Sequence, residues 1–245
     1  MNEEQDGSER EPAGVLWLRK TKMKLKRLSA NAALALLLAW AGPLWAKDAP
    51  GTIPLYQNNF EQAALDKVPD DFLVLAGAFA VKEEGGQRFL ELPGAPVEDF
   101  ALLFGPTESS DAAVSARIHA MGKGRRFPAF GLGLNGVGGF KLQVAPAKKA
   151  LELYKGDEVV KTVPFSWSAG AWTQLRLEVR KTKEGAWTVE GKAWKQGEPE
   201  PADWSISHDE TTEPVAGRAL ISGNPFSGSP IRFDDLVVTR LSDKR

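Results

Sequence analysis

The sequence contains no cysteine and only two histidines, His119 and His208, among its 245 residues. Without cysteine the chain has no disulfides, no zinc–thiolate site, no iron–sulfur cluster and no cysteine nucleophile. Two imidazoles are too few for a multi-histidine metal site. A domain of this size is stable without disulfides, so the lack of cysteine is compatible with export.

Neither sign of charge is in excess, because 31 Lys and Arg residues stand against 32 Asp and Glu residues. A chain so close to neutrality lacks the basic surface that nucleic acids require, and we expect no nucleic-acid partner. Long amphipathic helical segments are also missing. The chain has instead 24 glycines and 16 prolines, together with many Val, Leu and Phe residues. This composition is typical of a β protein with many turns.

The segment 23–46 has the residue order of a secretory signal peptide. Basic residues at its start precede an apolar run at 32–41, after which come a Gly-Pro pair and the small residue Ala46. The apolar run is too short to span a bilayer comfortably, so we expect cleavage and no membrane association afterwards. We favour cleavage after Ala46, and cleavage after Ala41 is the alternative.

The predicted organisation has three parts. Residues 1–22 are polar and charged, which is unusual ahead of a signal peptide, so we interpret them as a non-native or disordered extension, with Met23 as an alternative start to Met1. Residues 23–46 are the signal peptide, and residues 47–245 form one β-sandwich domain. The expected location is the periplasm or the exterior of the cell.

Short apolar alternations, bounded by Gly, Pro, Asn and Asp, fill the chain after residue 47. They predict strands at 53–61, 71–75, 77–83, 87–93, 98–104, 111–121, 127–135, 137–145, 149–155, 158–164, 172–180, 186–195, 202–208, 216–223 and 230–241. Each strand has one apolar and one polar face, as in antiparallel sheets that pack on one side. Many short strands at this spacing predict an all-β protein with a two-sheet antiparallel sandwich.

Several segments carry a resemblance to a known family. They are FGLGLNGVGGFKLQV at 130–144, AWTQLRLEV at 171–179, EGKAW at 190–194, EPEPADW at 198–204 and IRFDDLVV at 231–238. The chain over 53–241 resembles concanavalin A-like (laminin-G-like) jelly-roll domains, and 190–204 is similar to bacterial 3-keto-disaccharide-hydrolase-like domains. The resemblance implies a jelly-roll sandwich, and it identifies no activity.

Polar side chains from several strands are predicted to share one surface beside Gly131 and Gly133. The set comprises Arg117, His119, Lys141, Gln143, Glu152, Tyr154, Arg176 and Glu178. From it we select Arg117, His119, Gln143, Glu152, Arg176 and Glu178, with Trp167 as an exposed loop tryptophan, as candidates for binding a glycan or a cell-envelope component. The alternative for each is an ordinary solvated face or, for Trp167, packing.

No catalytic residue is assigned, because the Glu-x-Asp-x-Glu strand of family-16 glycoside hydrolases is missing from the sequence. The preferred hypothesis is a non-catalytic, exported binding module. One alternative is a glycan hydrolase resembling the 3-keto-disaccharide hydrolase group, with Glu152 or Glu178 as acid/base. A second alternative is a purely structural envelope domain.

A structural calcium ion is a weaker hypothesis, and we expect no other cofactor. Asn59 lies on the first predicted strand, and Asp234 and Asp235 lie on the last. First and last strands are often neighbours in this fold, so these oxygens can converge on a hard cation. Solvated carboxylates at a sheet edge are the alternative.

Overall fold

The computed structural model describes residues 52–95, 98–183, 185–226 and 228–242. The predicted extension (1–22) and the predicted signal peptide (23–46) lie outside these residues. No helix in the described part of the chain is long and apolar enough to cross a membrane.

The described residues form fifteen strands and one 3₁₀ turn. Each predicted strand is confirmed: 158–164 and 186–195 have the predicted ends, and the ends of the others are shifted. The strands are β1 (Thr52–Asn58), β2 (Leu73–Ala76), β3 (Ala80–Glu84), β4 (Gln87–Leu92), β5 (Phe100–Glu108), β6 (Ala112–Ala120), β7 (Ala129–Leu134), β8 (Phe140–Ala145), β9 (Ala150–Lys155), β10 (Glu158–Pro164), β11 (Trp172–Lys183), β12 (Ala186–Lys195), β13 (Ile206–Glu210), β14 (Gly217–Asn224) and β15 (Ile231–Leu241). The 3₁₀ turn covers Pro146–Lys148.

The larger sheet has the strand order β13-β12-β11-β6-β15-β4-β3, and β1 also pairs with β15. Strand β15 has two partners on the same side: β4 pairs with Ile231–Phe233, and β1 pairs with the stretch 236–241. The register is interrupted between Asp234 and Val237, where Asp235 has φ of 52°. A bulge therefore lies where the partner of β15 changes.

The smaller sheet has the strand order β10-β9-β8-β7-β14-β5-β2, and all its pairs are antiparallel. Its inner face packs on the inner face of the larger sheet through phenylalanine and branched aliphatic side chains. The predicted two-sheet antiparallel sandwich is confirmed.

Five phenylalanines are the largest fully buried side chains of the core: Phe60, Phe104, Phe130, Phe140 and Phe233. Burial of such a side chain stabilises the fold by roughly 1.5–3 kcal/mol. The two sheets approach closely at Gly191, where an added Cβ would lie 2.7 Å from Leu142 Cδ1. Alternation of apolar and polar residues thus builds one core between two polar outer faces.

Two of the loops at which the chain changes sheet are neighbours. The loop 121–128 leads from β6 in the larger sheet to β7 in the smaller one, and the loop 165–171 leads from β10 back to β11. Gly170 N donates a hydrogen bond to Ala120 O at 2.9 Å, so the two loops lie side by side.

Candidate functional site

The structure separates the residues that were predicted to share one polar surface. Arg117 and His119 lie on β6, and Arg176 and Glu178 lie on β11, both in the larger sheet. The remaining members, among them Gln143 and Glu152, lie on β8 and β9 of the smaller sheet. The prediction of a single surface is wrong, because the outer faces of the two sheets point in opposite directions.

On the larger sheet, Arg117 is held by two carboxylates. Its Nη2 donates to Asp234 Oδ2 at 2.6 Å, and its Nε lies 2.6 Å from Asp235 Oδ2. The guanidinium also lies over the Trp172 ring, 4.7 Å from its centroid. Arg117 is therefore committed to contacts within the protein.

The other three predicted residues of the larger sheet are also engaged. His119 Nε2 is 3.2 Å from Gly170 O, and because a carbonyl only accepts, this nitrogen carries the proton. Burial and the positive charge of Arg232 lower the pKa of His119. Arg176 Nε donates to Glu178 Oε1 at 3.0 Å, and Glu178 is buried.

The calcium hypothesis does not fit the residues at Asp234 and Asp235. Their strand β15 does pair with β1, as expected. However, Arg117 already provides the positive charge between the two carboxylates. Asn59 Oδ1 accepts a hydrogen bond from Glu61 N at 3.4 Å. Across the described ranges there is no group of three or more His, Asp or Glu residues that could hold a metal ion.

Trp167 lies in the predicted loop, but it is not the exposed tryptophan that the sequence suggested. Its ring is half-buried and packs edge-on against Phe130, with the centroids 6.0 Å apart. Packing against Phe130 of the core therefore covers part of the Trp167 ring.

The outer face of the smaller sheet carries a connected polar group on β8 and β9. Gln143 Nε2 donates to Tyr154 Oη at 3.2 Å, and Tyr154 Oη donates to Glu152 Oε2 at 2.9 Å. Lys148, from the 3₁₀ turn, donates to Glu152 Oε1 at 2.8 Å. Lys141 Nζ lies 4.4 Å from the Tyr154 ring centroid. We call Gln143, Glu152, Tyr154 and Lys148 the polar wall.

The polar wall holds Tyr154 in its protonated form. Burial is the main cause that raises the pKa of Tyr154 to about 12, and the hydrogen bond to Glu152 and its charge act in the same direction. The phenol therefore remains a hydrogen-bond donor at neutral pH.

Small residues lie beside the polar wall on the same face. Gln143 is paired across strands with Gly131, and Gly131 with Ser222. Ala145 and Ala150 form the next pair along β8 and β9. We call Ala129, Gly131, Ala145 and Ala150 the floor. An added Cβ at Gly131 would collide with the carbonyl oxygen of Leu142, so only glycine fits there.

The far side of the floor is again polar. Asn224 is paired with Ala129 and donates to Asp99 Oδ1 at 3.0 Å. The Ser222 hydroxyl is buried and has no hydrogen-bond partner among the described residues. The smaller sheet thus presents a low floor between two polar borders, with both donors and acceptors.

The sequence analysis identified part of this site. It selected Gln143 and Glu152 and placed Tyr154 on the same polar face beside Gly131, and these residues do lie together. It missed Lys148, Asn224 and Asp99. Asn224 and Asp99 carry no local signal, because their contact joins positions far apart in the chain. Lys148 and Glu152 stand only four residues apart, and the turn between β8 and β9 brings them together.

Comparisons with known proteins show the fold. No family model matches the chain, and no curated protein sequence matches it. Among solved structures, the carbohydrate recognition domain of Emp47p matches with a TM-score of 0.52 and 9% identity over 79% of this chain and 98% of that chain. An alginate lyase of Aplysia kurodai matches with a TM-score of 0.52 and 11% identity over 78% of this chain and 100% of that chain.

The chain shares the two-sheet β-sandwich fold of these structures. This agrees with the resemblance to concanavalin A-like domains at the level of fold. At such low identity the likeness concerns the fold alone, and function has to be argued from the chain's own residues.

Proposed function

We propose that this β-sandwich is an exported carbohydrate-binding module whose ligand lies on the outer face of the smaller sheet. The observation that carries the proposal is the floor of small residues between the polar wall and the Asn224–Asp99 pair. A low strip between two polar borders leaves room for a flat, hydroxyl-rich ligand.

The chemistry of the borders suits sugar hydroxyls, which both donate and accept hydrogen bonds. The polar wall offers an amide, a phenol and an ammonium group, and the opposite border offers an amide and a carboxylate. The Glu152 carboxylate is buried and holds Lys148 and Tyr154. The hydrogen bonds from Gln143 to Tyr154 and from Tyr154 to Glu152 fix these side chains in place. A site whose groups are already oriented loses less entropy when a ligand binds.

The similar structures support this proposal. One is described as a carbohydrate recognition domain and another as an alginate lyase, so the fold occurs in proteins concerned with carbohydrates. Export is supported by the signal-peptide order of residues 23–46. A glycan or another cell-envelope component is then the natural partner.

The hydrolase alternative named Glu152 or Glu178 as acid/base, and the structure places only Glu152 beside the floor. Glu152 and Glu178 lie on different sheets and face opposite sides of the sandwich, so they cannot act on the same glycosidic bond. We propose binding without catalysis, because the borders of the floor offer hydrogen-bonding groups that are already oriented.

The experiment is a glycan array followed by calorimetric titration, with Gln143→Ala and Gln57→Ala compared. Gln143 belongs to the polar wall, whereas Gln57 is exposed on β1 of the larger sheet. Loss of one ligand hydrogen bond is worth about 0.5–1.5 kcal/mol, so we expect Gln143→Ala to weaken binding by roughly two- to tenfold. Gln57→Ala should bind as the wild type does.

Three outcomes contradict the proposal. Binding to no glycan favours the structural alternative. Equal effects of the two glutamine variants place the ligand elsewhere. Release of reducing sugar that Glu152→Gln abolishes identifies a hydrolase.

A further inference from the structure

A second concave site lies at one end of the larger sheet, away from the polar wall. A cleft of about 220 Å³ opens between the loop before β11 and the loop after β12. Thr173 and Lys195, which are paired across these strands, contribute to its lining. None of the residues of the polar wall or the floor lines this cleft.

Two tryptophans give the cleft flat apolar surfaces. Trp167 comes from the loop before β11, and Trp194 lies near the end of β12. Both rings are half-buried, so each keeps part of its surface accessible. Phe165 and Pro201 extend the apolar lining. Indole rings of this kind offer a large, rigid contact area at low entropic cost.

Hydroxyl groups and two opposite charges accompany the tryptophans. Ser166 and Ser168 belong to the lining, and so do the exposed side chains of Lys195 and Glu198. The two charges cancel, so the lining attracts neither polyanions nor polycations. A neutral ligand that carries hydroxyl groups matches this combination.

The indole nitrogen of Trp167 is an unusual group in this lining. It is buried, and no hydrogen-bond partner exists for it within the described ranges. A buried donor without a partner costs about 1–3 kcal/mol. Native proteins contain few such groups, so this donor calls for an explanation.

Lys192 holds the loop after β12, which forms one side of the cleft, in place. This lysine is only 6% exposed, and its Nζ donates to Pro201 O at 2.8 Å and lies 2.8 Å from Glu200 Oε1. The same ammonium is 4.5 Å from the centroid of the Trp204 ring. Lys192 is a positioning residue for the cleft, because it fixes the loop that carries Glu198 and Pro201.

We propose that this cleft binds a single pyranose ring, as a second carbohydrate subsite. Its volume is below the roughly 300–1,000 Å³ of sites for drug-sized ligands, so one ring is the size that it admits. The ligand class rests on the proposed carbohydrate-binding function. The site itself does not depend on the outer face of the smaller sheet.

The test is nuclear magnetic resonance of the indole N–H groups in the ¹⁵N-labelled full chain, which has eight tryptophans. Phenylalanine substitutions at Trp167 and Trp194 assign their signals. The probes are the methyl glycosides of glucose, galactose, mannose and N-acetylglucosamine at millimolar concentration. We expect saturable shifts of the Trp167 and Trp194 signals with at least one probe. The signal of Trp187, which is buried in the core, should not move.

Matched lysine variants distinguish the cleft from other sites. Lys195→Ala should weaken binding in this titration by roughly two- to tenfold, as expected for one lost hydrogen bond. Lys183→Ala, at the opposite end of β11, should leave it unchanged. Lack of shifts with all four probes, or equal affinities of the two variants, overturns the inference.

The same titration on Gln143→Ala separates the two proposals. Shifts of Trp167 and Trp194 that persist in this variant support an independent cleft, even where the array shows no binding at the polar wall. Shifts that disappear in Gln143→Ala show that the two indoles respond to the smaller sheet, and the cleft proposal fails.

Discussion

Arg117 contacts two adjacent carboxylates, Asp234 and Asp235, on the outer face of the larger sheet. Its single positive charge balances only one of their two negative charges. Asp234 is fully buried and accepts hydrogen bonds from Arg117 Nη2 and from Gln87 Nε2, the latter at 3.0 Å. Burial and the charge of Asp235 raise the pKa of Asp234 to about 7, although Arg117 acts in the opposite direction. Burial also raises the pKa of Asp235.

A pH-dependent stability follows from Asp234. Its pKa is 3.8 as a free group and about 7 in the fold, so between these values the folded state binds more protons than the unfolded state. This residue therefore makes the protein less stable as the pH rises from about 4 to about 7, by at most about 1.4 kcal/mol per pH unit. Asn at this position cannot ionise. We expect the free energy of unfolding of Asp234→Asn to rise relative to the wild type over this range.

Urea unfolding of both proteins at pH 5, 6, 7 and 8 measures this difference. His119 and Glu210, whose pKa values are lowered, favour the folded state at higher pH, but they do so in both proteins. The comparison therefore reports on Asp234 together with Asp235, whose charge acts on it. A difference between the two proteins that does not change with pH contradicts the prediction.

At the scale of elements, the close pairing of β7 and β8 shapes the floor of the proposed site. Gly131 and Gly133 alternate with the buried residues Phe130, Leu132 and Leu134 on β7. An added Cβ at Gly133 would lie 2.6 Å from Phe140 O, and one at Gly131 would collide with Leu142 O. The glycines are therefore needed for the strands to approach each other, and they also keep the floor low.

Gly131→Ala should destabilise the protein by about 1–3 kcal/mol, because the methyl group forces a backbone shift in a packed sheet. Gly138→Ala is the matched control, since nothing lies within 4 Å of a Cβ added there. Thermal unfolding of the two variants should show a lower Tm for Gly131→Ala only. Equal Tm values for both variants would mean that the two strands can separate without cost.

At the scale of the whole molecule, the two sheets share one core to which the inner faces of both contribute. The polar wall and the Trp167–Trp194 cleft lie on separate surfaces of this sandwich. A ligand with several sugar units binds both sites at once only if it is long enough to span them. The gain in affinity then depends on the distance and direction between the two sites.

Export predicts a defined N-terminus for the mature protein. If residues 23–46 act as a signal peptide, the exported form should begin near Lys47. Intact-mass measurement of the protein recovered from the periplasm or the medium gives this position directly. An uncleaved protein that stays in the cytoplasm contradicts the prediction.

Much of the fold could be predicted from the chain alone. Alternation with a period of two depends only on neighbouring residues, and it placed Leu175, Leu177 and Val179 on the core side of β11, where they are fully buried. Turn residues marked the ends of the strands within a few positions. The grouping of Gln143, Glu152 and Tyr154 followed from the same periodicity, because β8 and β9 are consecutive and pair directly.

The sequence by itself determined the strands and which side of each strand is polar, because both follow from local chemistry. Only the tertiary structure decided which polar sides meet. Arg117 and Gln143 have the same alternation, yet the chain changes sheet between β6 and β7, so they lie on opposite sides of the sandwich. The pairing of Arg117 with Asp234 joins positions far apart in the chain. Such contacts depend on strand order, which no local pattern encodes.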